Sequence, residues 1–158
     1  MSSKILFILH LPPPIHGAAM MGKYIQESEL VNSSFDCFCI NLATAGSLSD
    51  IGHISLKKLL KYFFLLKHIS HVVREIRPEL VYITPNAGGK AFFKDFIVVQ
   101  MLKSMGCKVI AHYHNKGVSV YQSKWVYNFF YKRFFSNLKV ILLAENLYKD
   151  IAKYVKRE

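Results

Sequence analysis

Apolar residues fall into short unbroken runs separated by longer segments in which they recur every three or four positions, the pattern of buried strands alternating with amphipathic helices. The first run, Lys4-Ile5-Leu6-Phe7-Ile8-Leu9, is followed by Pro12-Pro13-Pro14 and reads as a central parallel strand covered on both faces. Ala18, Met21 and Ile25 share one helical face, which predicts a helix from about Gly17 to Glu29, closed by Asn32-Ser33-Ser34. Phe35 to Leu42 reads as a second strand and the following Ala43-Thr44-Ala45-Gly46-Ser47 as a loop. Ser55 is the expected N-cap of the longest helix. In it Leu56, Leu59, Leu60, Phe63, Leu66, Ile69, Val73 and Ile76 form an apolar stripe, Lys57, Lys58, Lys61, His68, His71 and Glu75 lie opposite, and Pro78 ends it.

The alternation continues with a strand at Leu80 to Thr84, a tight loop Pro85-Asn86-Ala87-Gly88-Gly89 and a helix ending near Gly106. A strand Lys108 to His112 precedes a loop through Asn115-Lys116-Gly117, and an aromatic-rich helix follows around Lys124 to Phe135. Val140 to Leu143 is the last predicted strand and Glu145 to Lys156 the last predicted helix. Five strands alternating with helices imply an α/β fold, a Rossmann-like doubly wound parallel sheet with right-handed crossovers. At 158 residues, without an internal repeat or low-complexity linker, the expectation is a single domain over the whole chain.

A hydrophobic share of 52% excludes disorder as a description of the whole chain. Cys37, Cys39 and Cys107 form no disulfide-like pattern, and the first two alternate in a strand read as buried, which fits reduced thiols in cytosol. The apolar start is too brief for a secretory leader, and lysines or histidines interrupt every run before the roughly 18 apolar residues of a membrane-spanning helix. Membrane contact is therefore expected to be peripheral.

Charge narrows the partners further. Lys and Arg number 21 against 10 acids, a formal net charge of +11, which favours an anionic partner: nucleotide phosphates, nucleic acid or an acidic membrane surface. Lys57, Lys58 and Lys61, with Phe63, Phe64 and leucines on the same helix, make a pattern able to lie on anionic lipid; its ordinary alternative is a covering helix with a solvated face. The stretch Lys124 to Arg133, with Trp125, Tyr127, Phe129, Phe130 and Tyr131, is either a second such surface or core.

Ligands of open parallel sheets bind outside the carboxyl ends of the strands, so candidate chemistry is sought in the loops there. After the first strand, Leu11-Pro12-Pro13-Pro14-Ile15-His16-Gly17-Ala18-Ala19 is a stiff loop whose Gly17 and small alanines let helix-start amides approach an anion or a sugar. Gly-x-Gly-x-x-Gly is absent, and Gly88-Gly89-Lys90 lacks the other elements of a P-loop, which argues against a dinucleotide or ATP. Asn86 and Gly88 are candidates to line a sugar pocket, or simply turn residues. In His112-Tyr113-His114-Asn115-Lys116-Gly117 the two histidines share a strand face, as a metal pair or a general base would require; no recognised third ligand supports a metal, and a packed strand-end histidine is the plain alternative.

Together, Pro12-Pro13-Pro14-Ile15-His16-Gly17-Ala18-Ala19, Lys23-Tyr24-Ile25 and Ile110-Ala111-His112-Tyr113-His114-Asn115-Lys116-Gly117 are similar to the family-4-like retaining glycosyltransferases, along essentially the whole chain. The resemblance implies the GT-B arrangement, two Rossmann-like domains facing a cleft, of which this chain is the N-terminal, acceptor-binding one. It implies that Gly17 lies by the donor diphosphate, that His16 and Ala18 shape the cleft, that catalytic His114 faces the transferred sugar, and that Asn86, Gly88 and Lys116 contribute to substrate binding. The implied reaction moves a sugar from a nucleotide-sugar to a glycan or lipid-linked acceptor in bacterial surface-polysaccharide synthesis, with no cofactor and no metal, at the cytoplasmic face of the membrane. The family's donor half carries a basic pair and a spaced pair of glutamates. Glu27, Glu29, Glu75, Glu79, Glu145 and Glu158 include no such pair, so nucleotide-sugar binding is expected only with a further, donor-binding domain.

Two other readings compete. A stand-alone basic α/β module binding nucleic acid suits the charge but lacks a helix-turn-helix, RNP or zinc signature, so no nucleic acid is expected. A small hydrolase or mutase with His114 as base needs a nearby carboxylate, and Asp36, Asp50, Asp95 and Asp150 are expected in other segments or on helix surfaces.

Overall fold

The computed structural model describes residues 2–43 and 56–157. It is an α/β fold in which helices flank a five-stranded parallel sheet, the Rossmann-like class. Two compact units compose it, Met1–Thr84 and Pro85–Glu158. The strands are β1 (Lys4–Leu9), β2 (Asp36–Asn41), β3 (Leu80–Ile83), β4 (Val109–Tyr113) and β5 (Lys139–Leu142), in the sheet order β2-β1-β3-β4-β5.

In the first unit β1 is central. It pairs in parallel with β2, Lys4 opposite Asp36, and with β3, Ile5 opposite Leu80. Ile5 to Leu9 are all buried, which is why this strand is uniformly apolar rather than alternating. On one face Ile5, Phe7 and Leu9 gather Leu11, Ile25, Val31, Leu80 and Tyr82.

The single helix expected between the first two strands is two, α1 (Gly17–Gln26) and α2 (Glu29–Ser34). The break falls where the Ser28 side chain accepts from the Val31 N–H and caps a new helix. α1 lies very close to the end of β1, since a Cβ on Gly22 would stand 2.1 Å from the His10 carbonyl oxygen. Only glycine allows that approach. β2 is an edge strand, so Cys39 is exposed and Cys37 half-buried, and the expectation of buried thiols there fails.

The long helix α3 (Leu56–Ile76) ends as predicted, while Ser55 and the loop from Thr44 onward lie outside the described residues. Its apolar stripe divides in two. Ile69 and Val73 are buried, while Leu56, Leu59, Leu60, Phe63 and Phe64 are between 52% and 74% exposed.

In the second unit α4 (Gly89–Ser104) and α6 (Trp125–Phe135) meet through an aromatic cluster centred on Phe92, whose ring lies 4.6 Å from Tyr131 and 5.5 Å from Phe134. The aromatic stretch is thus partly core, with Tyr131, Phe134 and Phe135 buried, although Trp125 is 81% exposed. The half-buried Lys103 donates from Nζ to the carbonyls of Phe134 and Ser136, both at 2.6 Å, holding the end of α6 by a cation where the helix dipole favours one. A short helix α5 (Val118–Tyr121) appears inside what was read as loop. The expected final helix is reduced to a 3-10 turn at Glu145–Leu147 and the one-turn α7 (Tyr148–Ile151), because Asp150 turns inward to bond the α5 backbone. β5 begins one residue earlier than its apolar run, at Lys139, and pairs with β4 in parallel, Ile110 opposite Lys139.

The contact beneath α1 yields a contrast. Gly22→Ala is expected to cost about 1–3 kcal/mol through overpacking. A Cβ on Gly17 meets nothing within 4 Å, and Gly17→Ala is expected to leave the melting temperature nearly unchanged. Thermal denaturation of the two variants separates them.

Candidate functional site

At the carboxyl end of β1 the proline loop is held by side chains from the neighbouring strand ends. Asn41 Oδ1 accepts from the Leu11 N–H at 3.2 Å and the Ala43 N–H at 2.9 Å, and Thr84 Oγ1 accepts from the His10 N–H at 3.4 Å. His16 is the N-cap of α1: its Nδ1 accepts from the Ala19 N–H at 3.3 Å and its carbonyl from the Met20 N–H at 2.9 Å. The second is the first bond of the helix itself; the first satisfies one of the orphan amides, which leaves those of Gly17 and Ala18 as the first-turn groups an anion would meet. Gly17 is exposed and spatially unconstrained.

The second unit holds the other candidates, and two aspartates organise them. Asp95, fully buried in the first half of α4, accepts at Oδ2 from the Asn86 N–H at 2.8 Å and from Asn86 Nδ2 at 2.7 Å, while Lys94 Nζ lies 2.7 Å from its Oδ1. Asn86 is thus engaged in fixing the loop after β3. The Ala87 N–H donates to Asn115 Oδ1 at 3.2 Å, and the buried Tyr131 hydroxyl donates to the Ala87 carbonyl at 2.6 Å. Gly88 precedes α4 with the Tyr121 ring against it, since an added Cβ would stand 2.4 Å from that ring. The missing side chain lets the α5 ring pack closely there.

Asp150 reaches from α7 to the start of α5. Its carboxylate accepts from the N–H groups of Gly117 at 2.9 Å, Val118 at 3.0 Å and Ser119 at 3.0 Å, and from the Ser119 hydroxyl at 2.6 Å. Burial alone would raise its pKa, but these hydrogen bonds to the charged form outweigh it and hold the carboxyl below its ordinary range. Asp95 and Asp150 were therefore misplaced by the sequence reading: one is buried and the other turned inward. Isolated acids in helical segments carry no sequence mark of such a role.

His114 follows β4 directly. Its Nδ1 and Nε2 are both buried without a hydrogen-bond partner, and its ring centroid lies 4.3 Å from that of His112. Burial lowers the pKa of His114, and burial followed by the neighbouring His114 lowers that of His112 to about 4. Both imidazoles are neutral at pH 7, and a neutral imidazole offers one donor and one acceptor. Among the described residues no three His, Cys, Asp or Glu side chains gather around a common point. Lys116 is exposed in the same loop. The sequence readings thus divide between an open helix start at His16, Gly17 and Ala18 and a neutral, unbonded His114, with Asn86 and Gly88 committed to the fold.

Compared with known proteins, the chain matches no family model, no curated protein and no solved structure. What fold and loops define is a class: an α/β protein with candidate ligand groups after its parallel strands.

Two measurements follow. Asp150→Ala is expected to lose roughly 2 kcal/mol, since three amides and a hydroxyl lose a charged acceptor; hydrogen exchange at Gly117 to Ser119 should accelerate most. Because the unfolded histidines titrate near 6.5 and the folded ones lower, the unfolded chain binds more protons below that pH. Stability should therefore fall between about pH 6.5 and about pH 4, and His112→Gln combined with His114→Gln should flatten that part of the melting-temperature profile.

Proposed function

We propose that this chain is the acceptor-binding part of a retaining GT-B glycosyltransferase that moves a hexosyl unit from a nucleotide-sugar to a surface-polysaccharide acceptor, glycan or lipid-linked. The observation that carries the reading is His114, whose two buried ring nitrogens have no protein partner. Such a group costs stability unless a ligand completes it. Neutral imidazole suits an uncharged sugar hydroxyl better than a phosphate, and its lowered pKa makes it an orienting contact rather than a strong base. The amides of Gly17 and Ala18 suit a phosphate. Each group follows a parallel strand, where ligands of such sheets bind. The leaving diphosphate then depends on a separate donor-binding domain, where its growing charge is met by fixed donors.

The exposed half of α3 supports a cytoplasmic, membrane-peripheral setting. Leu59, Leu60, Phe63 and Phe64 are exposed beside Lys57 and Lys61, with Lys67 Nζ 5.8 Å from the Phe63 ring centre, and the helix has no acid before Glu75. No helix of the described residues is long and apolar enough to cross a membrane.

The test is an amide-shift titration with a soluble oligosaccharide, a short-chain polyprenyl phosphate and UDP-glucose, each alone. Shifts at His114 with the sugar and at Gly17 and Ala18 with the phosphate are expected, along with loss of the sugar response in His114→Ala. Tight, salt-sensitive binding of oligo(dT) with no sugar response would instead favour the nucleic-acid reading, which the net charge of +11 keeps in play. For the membrane, flotation with phosphatidylcholine vesicles with and without phosphatidylglycerol should show binding only to the anionic ones, weakened roughly fivefold by each of Lys57→Gln and Lys61→Gln.

A further inference from the structure

The two faces of α6 are made differently. Tyr127, Phe130, Tyr131 and Phe134 turn to Phe92 and Phe93 of α4, whereas Trp125, Phe129, Lys132 and Arg133, which share the opposite face, are exposed. Trp125, the one tryptophan of the chain, is 81% exposed and Phe129 51%. The surroundings of these rings are cationic. Lys124, Lys132 and Arg133 are exposed and belong to no ion pair among the described residues. From Phe96 to Ala144 the chain has no Asp or Glu against seven Lys or Arg. The carboxylates bracketing that run are engaged elsewhere, Asp95 with Asn86, Glu145 with Arg157 and Asp150 with the α5 backbone. The Arg133 guanidinium lies 5.2 Å from the Phe129 ring centre, and Lys124 Nζ 5.4 Å from that of Tyr121.

We infer that the outer face of α6 docks on an anionic lipid bilayer, with the Trp125 and Phe129 rings among the headgroups and Lys124, Lys132 and Arg133 on lipid phosphates. An indole joins a large apolar body to one polar N–H, which suits the boundary between water and acyl chains, and the cations beside it add electrostatic attraction. Three other occupants fit less well. A base or sugar stacks on an open ring face, and a cation already lies over one face of Phe129 and of Tyr121. A stable protein interface buries about 800 Å² on each side, for which two rings are a small apolar centre. A second copy seated on the same face would bring like charges together. This surface lies in the second unit and α3 in the first, and it depends on neither His114 nor Gly17.

The single tryptophan makes the intact chain its own probe. Trp125 emission should move to shorter wavelength on adding vesicles of phosphatidylcholine with phosphatidylglycerol and stay unchanged with phosphatidylcholine alone. Lipids brominated high on the acyl chain should quench it more than lipids brominated near the chain end, as an interfacial ring requires. Lys132→Gln and Arg133→Gln should each raise the vesicle concentration for half of the shift roughly fivefold. Both should keep the melting temperature, because the two side chains are exposed. At saturating vesicle concentration the shift should survive Lys57→Gln combined with Lys61→Gln, since neither residue belongs to this surface. Flotation of the chain without an indole shift overturns the inference and leaves the α3 reading standing. An indole shift in a chain whose flotation is indifferent to Lys57 and Lys61 supports the inference and removes the α3 reading. A shift produced by oligo(dT) but not by vesicles, or by raising the protein concentration alone, also overturns it.

Discussion

A loop that leaves the carboxyl end of a parallel strand carries backbone amides with no ladder partner, and each needs an acceptor. In the second unit two carboxylates meet that demand. Asp95 takes the Asn86 amide and side chain after β3, and Asp150 takes three consecutive amides and a hydroxyl after β4. Asn115 and Tyr131 bind the two loops together at Ala87. The position of His114, the shortness of the last helix and the inward turn of the segment after β5 all follow from this arrangement.

The same demand is met less completely in the first unit. His16 caps one amide of α1, and Asn41 and Thr84 hold the chain between β1 and the prolines. The helix start at Gly17 and Ala18 is left exposed or half-buried, on a helix seated so closely that Gly22 admits no side chain. A rigid base with an open rim is what ligand recognition by backbone amides requires. The candidate binding features are thus of two kinds, an open helix start in the first unit and a buried neutral imidazole in the second.

Much of the fold was legible in the sequence because the hydrophobic period is local. The uniform run of β1, the three-and-four spacing of α3 and the aromatic stripe of α6 each fixed an element from its own residues, and their alternation gave the α/β class. Candidate sites were legible only as positions after strands. Gly22 gave no signal because its neighbour, the His10 carbonyl, is brought against it by the packing of a helix on a strand. Asn86 drew attention as a turn residue but is occupied by an aspartate nine positions along the chain.

By itself the sequence determined which segments are strands and helices, that the sheet is parallel, and that the chain is strongly basic. These depend on residue type and short-range periodicity. Only the tertiary structure decided that β2 and β5 are edges, that half the α3 stripe is uncovered, that Asp95 and Asp150 organise loops, and that both His114 nitrogens are buried and unbonded. Those properties are relations between distant segments: burial and hydrogen bonding are settled by what packs against a residue, which its immediate neighbours in the chain do not encode.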